Sequence, residues 1–172
     1  MRGLLFLLFA PLCWGQDFST LARSCTPQTD LTSIAAIVKT ESNFRPLALS
    51  LNYPLSTTKH GLPRGRMWLA HQPQNEQEAV SWAHTLLNAG FTLSIGLMQV
   101  STEEGYSVET LLKPCSNLRI GWSVFEKKYH QAVQQFGPGD RALRAALSLY
   151  NSGSTTVGFR NGYVRKVLQH AR

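Results

Sequence analysis

The sequence predicts a mainly α-helical fold: a single compact helical domain with a small β-hairpin or flap. Three observations support this prediction. Hydrophobic residues make up 43% of the 172 residues and charged residues 16%, which is typical of a globular chain with one core. Apolar residues recur at spacings of three and four along several segments, which is the pattern of helices buried on one face. The chain contains neither an internal repeat nor a low-complexity linker at which a second domain would begin.

Residues 1–15 are predicted to be a secretory signal peptide, which leaves residues 16–172 as the domain. Arg2 precedes a short apolar run, and Cys13 and Gly15 provide the small residues that signal peptidase prefers before a cleavage site. The run is too short to span a bilayer as a lasting helix, although an uncleaved anchor is the alternative. We therefore expect a periplasmic or secreted protein without a stable membrane span after cleavage.

A helix over residues 31–42 is predicted to follow, with Asp30 or Thr32 as its N-cap. Two β-prone pieces come next, at residues 47–53 and 66–72, around a turn region that contains proline, glycine and serine. They predict a small hairpin or an irregular flap.

Two longer helices are predicted in the middle of the chain. Asn75, with Glu78 three residues later, resembles a capping box, and Gly90 ends the helix behind it. After a loop-like stretch with a short apolar centre, Asn117 is expected to cap the second helix, which ends at Gly137.

The C-terminal part is predicted to contain two further helices. Asp140 is expected to cap an amphipathic helix over residues 141–150. Residues 151–162 are predicted to form a loop, and apolar residues from 163 to 168 predict a last short helix.

Charge and cysteine content restrict the environment of the protein. The net charge is +7, but the basic residues are scattered, which favours a polyanionic wall or membrane surface over nucleic acid as partner. A merely soluble basic domain is the alternative. Signal cleavage would remove Cys13 and leave Cys25 and Cys115, which in an exported chain suggest one disulfide rather than two free thiols.

Glu41 occupies a position at which an apolar residue is expected. Ile34, Ile37 and Val38 recur at helical spacing, and a turn of about 100° per residue places Glu41 on the same stripe. Burial disfavours the charged form of a carboxyl group and raises its pKa, so that it can hold a proton near neutral pH. The general acid of a glycosidase needs this property. Alternatively, Glu41 points to solvent, because it lies near the end of its helix.

Three short motifs occur in order along the chain: "ESNF" at 41–44, "SIGLMQV" at 94–100 and "LSLYNSG" at 147–153. With them the chain resembles the lytic transglycosylases of the goose-type lysozyme-like superfamily, over about residues 25–165. The long segment between the first two motifs, together with "LLKPCSNLRIGW", is similar to the transglycosylases of type IV secretion and conjugation systems. The resemblance implies a lysozyme-like α+β fold.

The resemblance also implies site residues, with Glu41 as the catalytic acid. The implied substrate-binding residues are Ser42, Gly96, Leu97, Met98, Gln99, Tyr150 and Asn151. Among them, Gln99 would line the sugar groove, and Tyr150 would point at the carboxyl group of Glu41 and help to fix its proton. Simple structural roles are the alternatives. Met98 and Tyr150 would pack in the core, Gln99 would hydrogen-bond to polar groups of its loop, and Asn151 would mark the end of a helix.

The implied reaction cleaves the MurNAc–GlcNAc β-1,4 bond of peptidoglycan glycan strands with formation of 1,6-anhydro-MurNAc. It would open the cell wall for an envelope-spanning secretion or conjugation complex, and it requires neither a cofactor nor a metal. The five histidines are scattered, without the spacing of metal ligands. One alternative is a muramidase-type hydrolase that uses Glu103 or Glu104 as a base. A non-catalytic wall-binding assembly module is the other.

Overall fold

Helices make up most of the residues that the structure, a computed structural model, describes, which are 14–53 and 65–172. The predicted signal peptide lies outside these residues except for positions 14 and 15, and its cleavage stays a prediction. The helices in chain order are α1 Trp14–Cys25, α2 Leu31–Ser42, α3 Glu76–Asn88, α4 Val108–Leu112, α5 Pro114–Phe136, α6 Asp140–Ser152, α7 Val157–Arg160 and α8 Tyr163–His170. The strands are β1 Leu49–Tyr53, β2 Gly65–Trp68, β3 Thr92–Ile95 and β4 Val100–Ser101.

The four strands form an antiparallel sheet in the order β2-β1-β3-β4. The pairing of β1 with β2 confirms the predicted hairpin, and the mainly α prediction with a small β element is correct. Side chains alternate between the two sides of a strand. On one side the apolar residues Leu49, Leu51, Leu93, Ile95 and Val100 are buried in the core. The other side carries polar residues and one aromatic ring, because Arg66 lies opposite Asn52 and both Trp68 and Ser94 lie opposite Ser50.

Two helix starts follow the predicted capping chemistry. Asp30 is the N-cap of α2, and its carboxylate accepts a hydrogen bond of 2.7 Å from the backbone N–H of Ser33. Asn75 caps α3 by accepting from the N–H of Glu78 at 2.9 Å. The capping box is incomplete, because the carboxylate of Glu78 accepts from the N–H of Gln74 at 2.7 Å.

Two predicted N-caps are wrong. Helix α5 begins at Pro114, whose fixed φ suits the first helical turn, so that Asn117 lies inside the helix, where it is buried. Asp140 is the first residue of α6 rather than its cap, and its carboxylate accepts a hydrogen bond of 2.6 Å from Arg144 one turn later.

Two predicted loops contain regular structure. Within the stretch from 91 to 107, β3 and β4 add to the sheet because the apolar centre pairs with β1, a partner distant in sequence. In the stretch from 151 to 162, α6 continues to Ser152, and the short helix α7 follows. The last predicted helix is confirmed as α8.

The core lies between the helices and the apolar side of the sheet. Helix α5 packs along α6, and α8 packs against α2. The interior includes Ile34 and Val38 from α2, Leu118 from α5, Leu147 from α6 and Val164 from α8. This packing fixes α2 against α8, and the side chain of Arg66 on β2 reaches the end of α2. Within the described residues, none of the helices combines the length and the apolar character needed to cross a membrane.

A disulfide joins Cys25 at the end of α1 to Cys115 in the first turn of α5, as predicted. The two Cα atoms are 5.2 Å apart, and 90 positions separate the cysteines in the sequence. The guanidinium of Arg119 also donates to the carbonyl oxygen of Cys25, at 2.9 Å. The N-terminal helix is thus tied to the long central helix.

We expect mass spectrometry of a non-reduced tryptic digest to find the peptides of Cys25 and Cys115 joined, because the structure brings the two sulfur atoms into bonding contact. Reduction before digestion should separate the pair and serves as the control. Two alkylated free thiols in protein recovered from an oxidising compartment would contradict this prediction.

Candidate active site

Glu41 lies in the last turn of α2 and is fully buried, with 0% of its surface exposed. Its neighbours on the stripe, Ile37 and Val38, are buried as well, so the apolar pattern correctly indicates an inward-facing carboxyl group. The helix ends one residue later, at Ser42, because Asn43 and Phe44 adopt left-handed φ values of 53° and 63°. The carboxylate therefore sits at the end of a helix rather than in its middle.

Both oxygens of Glu41 are engaged. The hydroxyl of Tyr163, the first residue of α8, donates a hydrogen bond of 2.6 Å to Oε1. The guanidinium of Arg66, on β2, forms an ion pair with Oε2. Neither partner is predicted from the sequence, since nothing in the local pattern at 66 or 163 indicates a contact with residue 41.

The environment of the two partners fixes their protonation. Burial, together with the charge and the hydrogen bond of Glu41, raises the pKa of Tyr163 well above its ordinary value. Tyr163 is therefore a neutral hydrogen-bond donor at physiological pH. Burial alone would lower the pKa of Arg66, but the charge and hydrogen bond of Glu41 outweigh this effect and raise it. Arg66 therefore remains a cation beside the carboxylate.

The second motif forms the turn between β3 and β4. Gly96 has a φ of +80°, a conformation that favours glycine, and a Cβ at this position would lie 2.4 Å from the amide nitrogen of Asn117. Leu97 and Met98 are buried in the core. Met98 also fills the space beside Gly121 of α5, where an added Cβ would lie 2.5 Å from that of Met98.

Gln99 uses its whole side-chain amide inside the protein. Its oxygen accepts a hydrogen bond of 2.7 Å from Ser50, and its nitrogen donates to the carbonyl oxygens of Ala48 and Gly96, both at 3.0 Å. The residue is 4% exposed. In this structure Gln99 links β1 to the turn. These contacts fit the alternative stated above, in which Gln99 hydrogen-bonds to polar groups of its loop.

Asn117 holds the same turn from the opposite side. Its oxygen accepts from the N–H of Met98, and its nitrogen donates to the carbonyl oxygens of Ile95 and Leu111, each at 2.8 Å. These three hydrogen bonds link α5, α4 and the sheet through one buried side chain. Asparagine suits this position because its amide offers both a donor and an acceptor.

The third motif supports the site indirectly. The hydroxyl of Tyr150 donates to the carbonyl oxygen of Met98 at 2.7 Å, and the hydrogen bond to Oε1 of Glu41 comes from Tyr163. Tyr150 is nevertheless near the acid, because burial and then the charge of Glu41 raise its pKa well above the ordinary value. Asn151 accepts a hydrogen bond of 2.7 Å from the side chain of Asn161, whose oxygen accepts from the N–H of Tyr163 at 3.0 Å. Asn151 therefore helps to position Tyr163 at the start of α8.

The remaining predicted residues lie in the framework or at the surface. Ser42 is buried and donates to the carbonyl oxygen of Val38 at 3.2 Å, within its own helix. Glu103 and Glu104 are exposed, and Glu103 accepts a hydrogen bond of 3.3 Å from Ser101. The hydrogen bonds and ion pairs of the described residues join neither of them to Glu41.

A cleft of about 600 Å³ lies beside the hairpin. Trp68 lines it together with Arg45 and His71, and 44% of the Trp68 surface is exposed. Trp68 is two residues from Arg66, so both side chains are on the same side of β2. The cleft therefore offers an aromatic ring and hydrogen-bonding groups beside the strand that carries Arg66.

The described residues form an α+β domain of helices with a small sheet, in which a buried glutamate lies at a helix end. The family model described as "Transglycosylase SLT domain" matches residues 19–171. The chain belongs to this family, which confirms the resemblance that the three motifs indicate.

Two relatives carry informative names. The chain is 34% identical over 162 residues to "Protein virB1" of Agrobacterium fabrum, an alignment that covers 92% of the chain and 60% of the relative. It is 34% identical over 164 residues to "Type IV secretion system protein virB1" of Brucella abortus, covering 90% of the chain and 63% of that relative. The chain thus spans about three fifths of the length of these curated relatives. No solved structure matches the chain.

Proposed function

We propose that this protein is a peptidoglycan lytic transglycosylase in which Glu41 is the catalytic acid. The observation that carries the proposal is the fully buried carboxyl group of Glu41, held by Tyr163 and Arg66 at the end of α2. A carboxylate is rarely placed in a core without a chemical or ionic reason. Membership of the transglycosylase SLT domain family supports the same interpretation.

The proposed reaction needs one carboxyl group that acts twice. Glu41 protonates the oxygen between MurNAc and GlcNAc, while the N-acetyl group of MurNAc assists the departure of the leaving sugar. The 6-hydroxyl of the same MurNAc then attacks its anomeric carbon, Glu41 takes the proton of that hydroxyl, and a 1,6-anhydro ring forms. Because Tyr163 holds Oε1, we assign both proton transfers to Oε2. The first transfer requires that Arg66 has left Oε2 and that Oε2 carries a proton, which the second transfer then restores.

The second and third motifs are proposed to shape the glycan groove rather than to contact the reacting atoms. Gly96, Leu97, Met98 and Gln99 hold the turn beside β1 through internal contacts. Tyr150 and Asn151 link this turn and Tyr163 to the end of α6. The glycan would lie over the polar side of the sheet.

The proposed cellular role is local opening of the cell wall for a secretion or conjugation apparatus. The name of the Brucella relative places that protein in a type IV secretion system. The disulfide supports an oxidising, extracytoplasmic location for this chain, in the periplasm or outside the cell. The net charge of +7 favours contact with an anionic wall.

Incubation with purified sacculi, followed by mass analysis of the soluble products, tests the proposal. We expect muropeptides that end in 1,6-anhydro-MurNAc, because the 6-hydroxyl rather than water completes the reaction. Products with reducing MurNAc ends would identify a hydrolase instead, and no release by the folded protein would favour a non-catalytic module.

Tyr163→Phe is expected to lower the rate of muropeptide release about tenfold or more, because the carboxyl group loses the donor that holds Oε1. Tyr129→Phe is the matched control, since Tyr129 lies on α5 outside the site and only partly buried. Initial rates on sacculi at equal protein concentration measure the effect. Equal rates for the wild type and Tyr163→Phe would show that this hydroxyl has no part in the reaction.

A further inference from the structure

In this structure the carboxyl group of Glu41 is not accessible to a substrate. Glu41 has no exposed surface, and each of its oxygens already has a partner, Tyr163 or Arg66. A general acid must come within hydrogen-bond reach of the oxygen that it protonates. One of the two partners must therefore move before a glycosidic oxygen can contact Glu41.

The structure favours Arg66 as the group that moves. Tyr163 is 7% exposed, packs in the hydrophobic core, and has its backbone N–H fixed by Asn161. The side chain of Arg66 is 21% exposed and extends from β2, an edge strand that pairs only with β1 among the described strands. A long arginine side chain at a sheet edge changes rotamer at lower cost than a tyrosine anchored in the core.

A guanidinium that leaves a buried ion pair needs another anionic partner. The cleft beside β2 is lined by Arg45 and His71 and by no carboxylate among the described residues. Glu103 and Glu104 lie towards the other end of the polar side of the sheet, where both are exposed and Glu103 is hydrogen-bonded to Ser101. The ligand is therefore the source of the replacement anion that we consider. The planar fork of arginine suits a carboxylate, with which it forms two parallel hydrogen bonds.

We propose that Arg66 is a specificity-determining residue that exchanges Glu41 for a carboxylate of the glycan strand when substrate binds. This proposal rests on the proposed function, because the muramic acid of peptidoglycan supplies the anion. Its lactyl side chain ends in a carboxylate or continues into a peptide that carries carboxylates. Acidic strands therefore uncover Glu41, whereas a neutral glycan has to break the ion pair without replacing it.

The first experiment measures by calorimetry at low temperature how tightly the neutral ligand chitotetraose binds, with mass analysis to confirm that the ligand stays intact. Arg66→Met and Glu41→Gln should each bind it about tenfold more tightly than the wild type, because either change removes the ion pair that competes with the ligand. The double variant should gain nothing further. Unchanged or weaker binding by Arg66→Met would overturn the proposal.

The second experiment tests the exchange itself in the Glu41→Gln background, where Arg66 lacks its charged partner. Amidase-stripped glycan strands and peptide-bearing strands of similar length are compared with chitotetraose. At least one acidic ligand should bind about tenfold more tightly than the neutral one, and adding Arg66→Met should remove this preference. Tight binding of the stripped strands identifies the lactyl carboxylate, and tight binding of only the peptide-bearing strands identifies a peptide carboxylate. Equal affinities, or a preference that survives Arg66→Met, contradict the exchange.

Two controls keep the outcomes separate. Arg23→Met removes the same charge from an exposed position on α1 and should leave every affinity unchanged. Arg66→Gln repeats the test with a polar side chain in case Arg66→Met does not fold. Both experiments measure binding, so a Glu41→Gln protein that still releases muropeptides would reject the proposed acid, while the affinities would still decide the role of Arg66.

Discussion

Glu41→Gln is expected to lower muropeptide release from sacculi by roughly 100- to 10,000-fold, the range usually contributed by a positioned general acid or base. The amide has nearly the same size as the carboxyl group, so the hydrogen bond from Tyr163 to Oε1 can persist. It cannot donate an acidic proton to the leaving oxygen or accept one from the 6-hydroxyl. Initial rates and circular dichroism together separate lost chemistry from lost fold.

Glu126→Gln is the matched control, because Glu126 is exposed on α5 and outside the site. Its rate and melting temperature should equal those of the wild type. If folded Glu41→Gln protein released muropeptides at a rate close to that of the wild type, the assignment of Glu41 as the acid would be wrong.

Asn117→Ala is expected to lower the free energy of unfolding by roughly 3–5 kcal/mol, because it removes three hydrogen bonds to backbone groups, and a buried group left unpaired costs about 1–3 kcal/mol. These groups are the N–H of Met98 and the carbonyl oxygens of Ile95 and Leu111. The expected loss is nearer the lower end of the sum of these three costs, since water can enter the space that the amide leaves. Chemical denaturation of the oxidised protein provides the measurement.

Gln135→Ala, at an exposed position of the same helix, should change the free energy of unfolding by less than about 0.5 kcal/mol. The Asn117→Ala protein that remains folded should also release muropeptides more slowly, since the turn that carries Gln99 loses its support. If Asn117→Ala lowered the free energy of unfolding by less than about 1 kcal/mol, neighbouring groups or water would be replacing the hydrogen bonds of Asn117.

Some features could be predicted because the relevant chemistry is local. Asp30 and Asn75 cap helices through hydrogen bonds to residues three positions away, and such spacing is visible in the sequence. The inward direction of Glu41 follows from the stripe on its own helix. The pair Cys25 and Cys115 follows from counting the cysteines that would remain after export.

Other features depend on partners far away in the sequence. An asparagine can cap a helix or, from inside a helix, hydrogen-bond to the backbone of a neighbouring turn. Asn117 takes the second role because the turn that contains Met98 lies against it. Arg66 and Tyr163 reach Glu41 from positions 25 and 122 residues away, so no local pattern could reveal these contacts. The family motifs identify Tyr150 as important, yet its hydroxyl contacts the turn, and Tyr163 makes the bond to the acid.

The disulfide has a consequence for how the protein withstands proteolysis. Because the bond closes a covalent ring from Cys25 to Cys115, a single break in the backbone within that ring leaves both fragments attached to each other. Glu41 and Arg66 lie inside the ring, whereas Tyr163 lies on the tail that follows it. One cut between the ring and α8 can separate the tyrosine from the glutamate, but detaching Glu41 from the rest of the chain requires two.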